Sequence, residues 1–220
     1  MKSSQAAKNG GCFPADSTVV TKTGRKRLED LQVGEEVLVM EDGGKLAFGS
    51  VLLFLDRDEG AAGEFVTLRT ARGNSIALTP SHLVYSVPAA ANAANATEAS
   101  TVRFAGDVEV GDAVLVRSTR DPTQVETDRV VQIGRETRRG VFAPLTDRGT
   151  ILVDDAVASC YAVIDSHRVA HYSFLPVRWL AAVFPPERTA SRLASGVHWY
   201  AEFLYALAPY VLPSSLLYGV

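Results

Sequence analysis

From Ser17 to about Ile164 the chain consists of short runs of Val, Ile, Leu and Thr, broken by the turn signals "KTG", "EDGG", "ARGN" and "TDRG". That spacing predicts an all-β domain built of hairpins. One segment occurs twice: "DLQVGEEVLV" (Asp30 to Val39) returns as "DVEVGDAVLV" (Asp107 to Val116), at an offset of 77. "TARG" (Thr70 to Gly73) returns as "TDRG" (Thr146 to Gly149) at an offset of 76, each ahead of a strand-like apolar run. Solenoid repeats recur every ~20 to 50 residues, so two copies at this longer period predict instead a duplicated β unit folded about a pseudo-twofold axis. Between the copies, "PAAANAANATEAS" (Pro88 to Ser100) has small residues and no periodicity, and reads as an exposed loop.

After Asp165 the texture changes. "SFLPVRWLAAVF" and "HWYAEFLYALAPYVL" are aromatic, apolar and compatible with helix, with Pro185, Pro186 and a polar stretch between them. Neither reaches the ~18 uninterrupted apolar residues that a membrane span needs. On a helix Trp199, Phe203 and Leu207 share one face and Tyr200, Leu204 and Leu207 another, which makes a wide apolar surface. Such helices either pack on the β domain or face a lipid, a membrane surface or a groove.

Composition narrows the partners. With 220 residues, 47% of them hydrophobic, the chain can bury a core without staples. A net charge of -3 supplies no clustered positive field, so nucleic acid is not an expected partner. The basic runs "GRKRL" and "ETRRG" are short, as in turns and edge strands. Two cysteines, Cys12 and Cys160, make no disulfide framework, and no CxxC or His-rich spacing marks a metal site. No metal and no cofactor are expected. "MKSSQAAKNG" lacks the apolar core of a signal peptide, which leaves a cytosolic chain or a piece of a longer precursor. Asn95-Ala96-Thr97 is a glycosylation sequon and permits a secretory location.

The candidate chemistry starts at "NGGCFPADSTV". Gly11 has no Cβ to crowd its carbonyl, so Cys12 reads either as a buried or incidental thiol or as a nucleophile toward the peptide bond directly upstream. An amide nitrogen is a poor leaving group and must be protonated as it departs. "TPSHL" reads either as a capped turn with an incidental imidazole or as help for that step: Pro80 favours a turn, with the hydroxyl of Thr79 before it and the imidazole of His82 after it. Asp56, in "LLFLDRDEG", reads either as a turn former at a strand end or as a general base toward an alcohol at a pocket rim. Cys160, in "ASCYAVI", reads as a buried thiol within an apolar strand.

Taken in order, "GGCFP", "STV", "VGEEVL", "LFLDRD", "TPSHL", "APLTDRGTILV", "ASCYAVI" and "GVHWY" resemble the C-terminal autoprocessing region of Hedgehog proteins, from about Ala6 to Pro213. The resemblance implies a Hint domain, the all-β fold shared with inteins, followed by a smaller helical sterol-recognition region. It implies three parts: residues 1–11 as the tail of an upstream signalling domain acting in cis, 12–165 as the Hint domain, and 166–220 as the sterol-recognition region. It assigns the nucleophile to Cys12, the acyl donor to Gly11, assistance in the first step to Thr79 and His82, activation of the sterol hydroxyl to Asp56 and a supporting role to Cys160. Trp199, Tyr200 and Phe203 become candidate sterol contacts, and the C-terminal region is expected to meet a membrane surface.

The implied activity is a single-turnover cholesterol transfer in the secretory pathway, within the endoplasmic reticulum lumen. An N-to-S acyl shift at Gly11-Cys12 is followed by attack of the cholesterol 3β-hydroxyl, leaving Gly11 as an ester. In an oxidising lumen Cys160 could pair transiently with Cys12. The rivals are an intein or another self-cleaving Hint domain without sterol transfer, a cysteine hydrolase acting in trans, and a lipid-binding module without catalysis. Splicing needs a His-Asn pair, and none of Asn9, Asn74, Asn92 and Asn95 follows a histidine.

Overall fold

A computed structural model of the protein describes residues 11–90, 100–162 and 196–197. The described residues form twelve β-strands: β1 (Thr18–Thr21), β2 (Gly24–Arg27), β3 (Glu36–Met40), β4 (Leu46–Thr70), β5 (Ser75–Leu78), β6 (His82–Val87), β7 (Thr101–Phe104), β8 (Ala113–Arg117), β9 (Val125–Thr146), β10 (Thr150–Val153), β11 (Ala156–Ala162) and β12 (Gly196–Val197). The four turn signals stand between β1 and β2, β3 and β4, β4 and β5, and β9 and β10. The helical segments expected after Asp165 lie outside the described residues, as do Asn95, Trp199, Tyr200 and Phe203.

Two strands organise the rest. β4 and β9, of 25 and 22 residues, pair antiparallel along most of their length. Strands average 5 to 6 residues, so this pair is long for a globular domain. β3, β1 and β10 continue the pairing on the β4 side, β8, β11, β6 and β7 on the β9 side, and β10 pairs with β11 to link the two flanks. The main core lies between them and contains Phe13, Leu28, Leu31, Phe65, Leu68, Phe142 and Leu145, all essentially excluded from water.

The repeated sequence is repeated geometry. In the first copy Gly34 N–H donates to the Val51 carbonyl and Val51 N–H to the Glu35 carbonyl; in the second, Gly111 N–H donates to Val130 and Val130 N–H to Asp112. Each copy's acid also holds its own turn. Glu35 Oε2 accepts from Gln32 N–H at 2.7 Å, and Asp112 Oδ2 from Glu109 N–H at 3.0 Å. Gly34 and Gly111 occupy the left-handed region, φ +83° and +106°, where a Cβ is penalised. The turns "TARG" and "TDRG" match too, with Thr70 Oγ1 donating to the Asn74 carbonyl and Thr146 Oγ1 to that of Thr150. Across the axis Val51 pairs with Thr146 and Val130 with Thr70.

The N-terminal segment threads into this frame. Phe13 exchanges both backbone hydrogen bonds with Phe142, at 2.8 and 2.9 Å, and Ala15 N–H donates to the Arg139 carbonyl. The close approach requires a glycine at 140, whose φ is +79° and whose added Cβ would stand 2.5 Å from Ala15 Cβ and 2.9 Å from Phe142 Cε2. Gly140→Ala combines left-handed strain with overpacking. It should destabilise the fold by about 2–4 kcal/mol in urea denaturation, and an unchanged midpoint would show that Ala15 and the Phe142 ring yield to the added methyl.

Candidate active site

The chain enters the core at Gly11 and Cys12, both buried, and Cys12 is clamped at once. Its N–H donates to Thr79 Oγ1 at 3.0 Å, and its carbonyl accepts from Thr79 N–H at 3.0 Å. The peptide nitrogen joining Gly11 to Cys12 is therefore held against a hydroxyl. The turn holding Thr79 is closed by His82 N–H donating to the Thr79 carbonyl at 2.9 Å, with Pro80 at the position whose fixed φ suits it. β5 delivers Thr79 and β6 begins at His82.

His82 is buried, and the ring of Phe13 lies against it with centroids 4.2 Å apart. Nε2 is 2.8 Å from the Ser159 carbonyl, which can only accept, so Nε2 carries the proton and Nδ1 is the basic nitrogen. The Gly11 carbonyl is close enough to act on the ring, although Nδ1 closes no regular hydrogen bond. Burial lowers the His82 pKa to about 4, against the opposing pull of the Ser159 and Gly11 carbonyls. The imidazole is neutral at pH 7.

Asp56 reaches the site from inside β4, so its reading as a turn former at a strand end is corrected. Phe54 pairs with Pro144 and Asp56 with Ala143, which leaves Leu55 as an extra residue. Pro144 has no N–H to give the ladder, and prolines within sheets favour such bulges. Alternation breaks there, and Phe54, Leu55 and Asp56 are all buried. The Cys12 thiol points to Asp56 Oδ2, 4.0 Å away. Burial, and then the Asp56 charge, push the thiol pKa well up, so Cys12 rests as the thiol.

The structure thus brings together Gly11, Cys12, Asp56, Thr79 and His82. Cys160 follows Ser159 on β11, its Sγ 3.5 Å from Thr146 Oγ1, and burial pushes its thiol up to about 11. Both cysteines are free thiols. Ser159 and Phe13 were missed by sequence reasoning. Ser159 acts through its backbone carbonyl, which no side-chain pattern signals; Phe13, adjacent to the cysteine, could have been read as a packing partner.

A family model described as the Hint module matches residues 1–213. The chain is 36% identical over 222 residues to the Tiggy-winkle hedgehog protein of Danio rerio, covering 96% of the chain and 51% of that protein. It is 37% identical over 218 residues to Protein hedgehog of Drosophila melanogaster, covering 93% and 45%. The chain spans about half the length of these curated relatives. Among solved structures, a DnaB intein from Synechocystis matches with a TM-score of 0.54 at 15% identity, covering 70% of this chain and 99% of that one. A bacterial intein-like domain from Clostridium thermocellum matches with a TM-score of 0.51 at 20% identity, covering 67% and 97%. At these identities the structural likeness is one of fold.

The buried imidazole has a measurable signature. NMR should find the His82 ring titrating near 4, below its ordinary 6.5. Because the unfolded chain binds the proton more readily, this residue's contribution is full above about 6.5 and is lost as pH falls toward 4, on the order of 3 kcal/mol in all. His82→Gln should flatten that part of the stability profile in urea titrations. A His82 pKa of 6 or higher would show that the ring is solvated.

Proposed function

We propose that this chain, which belongs to the Hint module family, is a self-processing domain that cleaves its own Gly11–Cys12 bond and passes the acyl group to a sterol, cholesterol. The observation that carries this reading is the clamp on Cys12, with the scissile N–H on Thr79, the thiol on Asp56 and a tautomer-fixed imidazole beside the Gly11 carbonyl.

The first step follows from the proton positions. Sγ attacks the Gly11 carbonyl carbon, and the thiol proton passes to Nδ1 of His82. A base with a pKa of about 4 does not keep that proton. The departing α-amine, with an ordinary pKa of about 8, takes it as the C–N bond breaks. The net change moves the acyl group from nitrogen to sulfur and one proton the other way. Thr79 holds the nitrogen in line throughout. No ATP is consumed, because the activated acyl group derives from the peptide bond.

Acylation of sulfur removes the proton that faced Asp56. The Asp56 carboxylate then accepts from the sterol 3β-hydroxyl as that oxygen attacks the thioester. Gly11 leaves as the ester, and the Cys12 thiol is regenerated. A sterol is large and apolar, and at ~0.8 kcal/mol per buried CH₂ half burial is worth on the order of 10 kcal/mol before entropy costs. We assign that binding to residues 166–220, with Trp199, Tyr200 and Phe203 as contacts and a membrane surface as the source of sterol. Residues 1–11 then belong to an upstream signalling domain, and the setting is the secretory pathway.

Dithiothreitol and cholesterol separate the two steps. Both should release Met1–Gly11 from the intact chain, as a thioester or acid and as a sterol ester respectively. Cys12→Ala should abolish both, and His82→Ala should slow thiol cleavage by ~10² to 10⁴. Asp56→Ala should keep thiol cleavage and lose ester formation. Release ending at Gly11 from Cys12→Ala would refute the nucleophile, and full esterification by Asp56→Ala would refute the base.

A further inference from the structure

β12 is two residues long and lies beside Asp56. Gly196 pairs with Arg57 and Val197 with Asp56. On its other side β4 pairs with β9 through the same residues, Arg57 with Phe142 and Asp56 with Ala143. The backbone that carries the Asp56 carboxylate is therefore held from both sides, once by the central strand pair and once by the C-terminal part of the chain. A sheet edge with unpaired N–H and C=O groups accepts any strand that reaches it. Here the strand comes from this chain.

The edge is stiff at that point. The Arg57 guanidinium donates to the carbonyls of Leu31 at 3.0 Å and Glu29 at 2.9 Å. It also lies over the rings of Phe54 and Phe142, 4.9 and 5.6 Å from their centroids. Sliding β4 along its axis would break all four contacts, so whatever pairs with Asp56–Arg57 is placed in one register. Asp56 itself is buried, with Oδ2 facing the cysteine sulfur at 4.0 Å. The groups of the first step are held differently, by the turn between β5 and β6 and by the Ser159 carbonyl of β11.

We propose that Gly196–Val197 is a positioning strand for the second step alone: its pairing with Asp56–Arg57 docks the C-terminal part of the chain so that the acceptor alcohol meets the Asp56 carboxylate. This inference rests on the two-step reading above. The coupling is short-ranged: paired strands lie about 4.8 Å apart, so Gly196 and Val197 stand one strand spacing from the backbone that carries the carboxylate. The sheet ladder does the placing, through backbone groups.

Proline tests the ladder, since it removes a backbone donor and fixes φ. Successive N–H groups of a strand point to opposite sides, so Gly196→Pro and Val197→Pro together cover the donor that faces β4. In the full chain, at least one of the two should leave dithiothreitol release of Met1–Gly11 within about twofold of wild type while cholesterol ester formation falls by about 10²-fold. The same variant should speed hydrogen–deuterium exchange at whichever of the Asp56 and Arg57 amides faces β12, and leave the one that faces β9 protected. Val197→Ala keeps the N–H and should esterify at close to the wild-type rate.

Wild-type esterification by both proline variants would overturn the inference. So would a parallel fall of both reactions, which would make β12 a support of the fold, or a loss in Val197→Ala as large as in the proline variants. A wild-type chain that yields to dithiothreitol but never to cholesterol would instead overturn the two-step reading, and this inference with it.

Discussion

The antiparallel pairing of β4 with β9 determines where Cys12 and Asp56 meet. It sets Asp56 opposite Ala143 and Arg57 opposite Phe142, and Phe142 is the residue that takes Phe13 into the core. Cys12 is therefore fixed one residue away from a strand whose neighbour carries the carboxylate. The bulge at Leu55 belongs to the same constraint, because Pro144 denies the ladder a donor where Asp56 must turn inward. Duplication explains how so long a pair arises: each copy contributes one long strand, and each strand borrows its end pairing from the other copy.

Burial then sets the electrostatics. Excluding water raises the Cys12 thiol and lowers the His82 imidazole, so both rest uncharged, and neither reacts casually with solvent or with an external electrophile. In the proposed reaction their protons move in concert with bond making. The fixed tautomer makes this feasible, since Nδ1 is a base until it takes a proton and a strong acid afterwards. Thr79 adds no charge to this environment. It holds the Cys12 nitrogen and the Cys12 carbonyl, with distances of 3.0 Å on both sides.

Much of this arrangement was legible in the sequence, for physical reasons. Glycine and polar turns punctuate strands, so "KTG", "EDGG", "ARGN" and "TDRG" marked real boundaries. The two "VG" segments recur because each acid caps its own turn and each glycine adopts a positive φ. What stayed hidden was carried by backbone. The continuity of β4 through "LDRDEGAAGEF" depends on its pairing with β9, and apolar alternation fails there because of register shifts. The same holds for Ser159, whose carbonyl fixes His82, and for Gly196 and Val197, which pair with Arg57 and Asp56 through a ladder that any two residues other than proline could form. Asp56 looked like a turn residue because charges follow it, yet those charges belong to the same strand.

The central claim is that the Gly11 acyl group moves onto the Cys12 sulfur, and trapping with hydroxylamine tests it most directly. The intact chain is incubated with hydroxylamine at neutral pH and the released peptide is weighed by mass spectrometry. The account predicts Met1–Gly11 carrying a hydroxamate on Gly11, and no such peptide from Cys12→Ala. Release at another bond, or an equal yield of the Gly11 hydroxamate from Cys12→Ala, would contradict it.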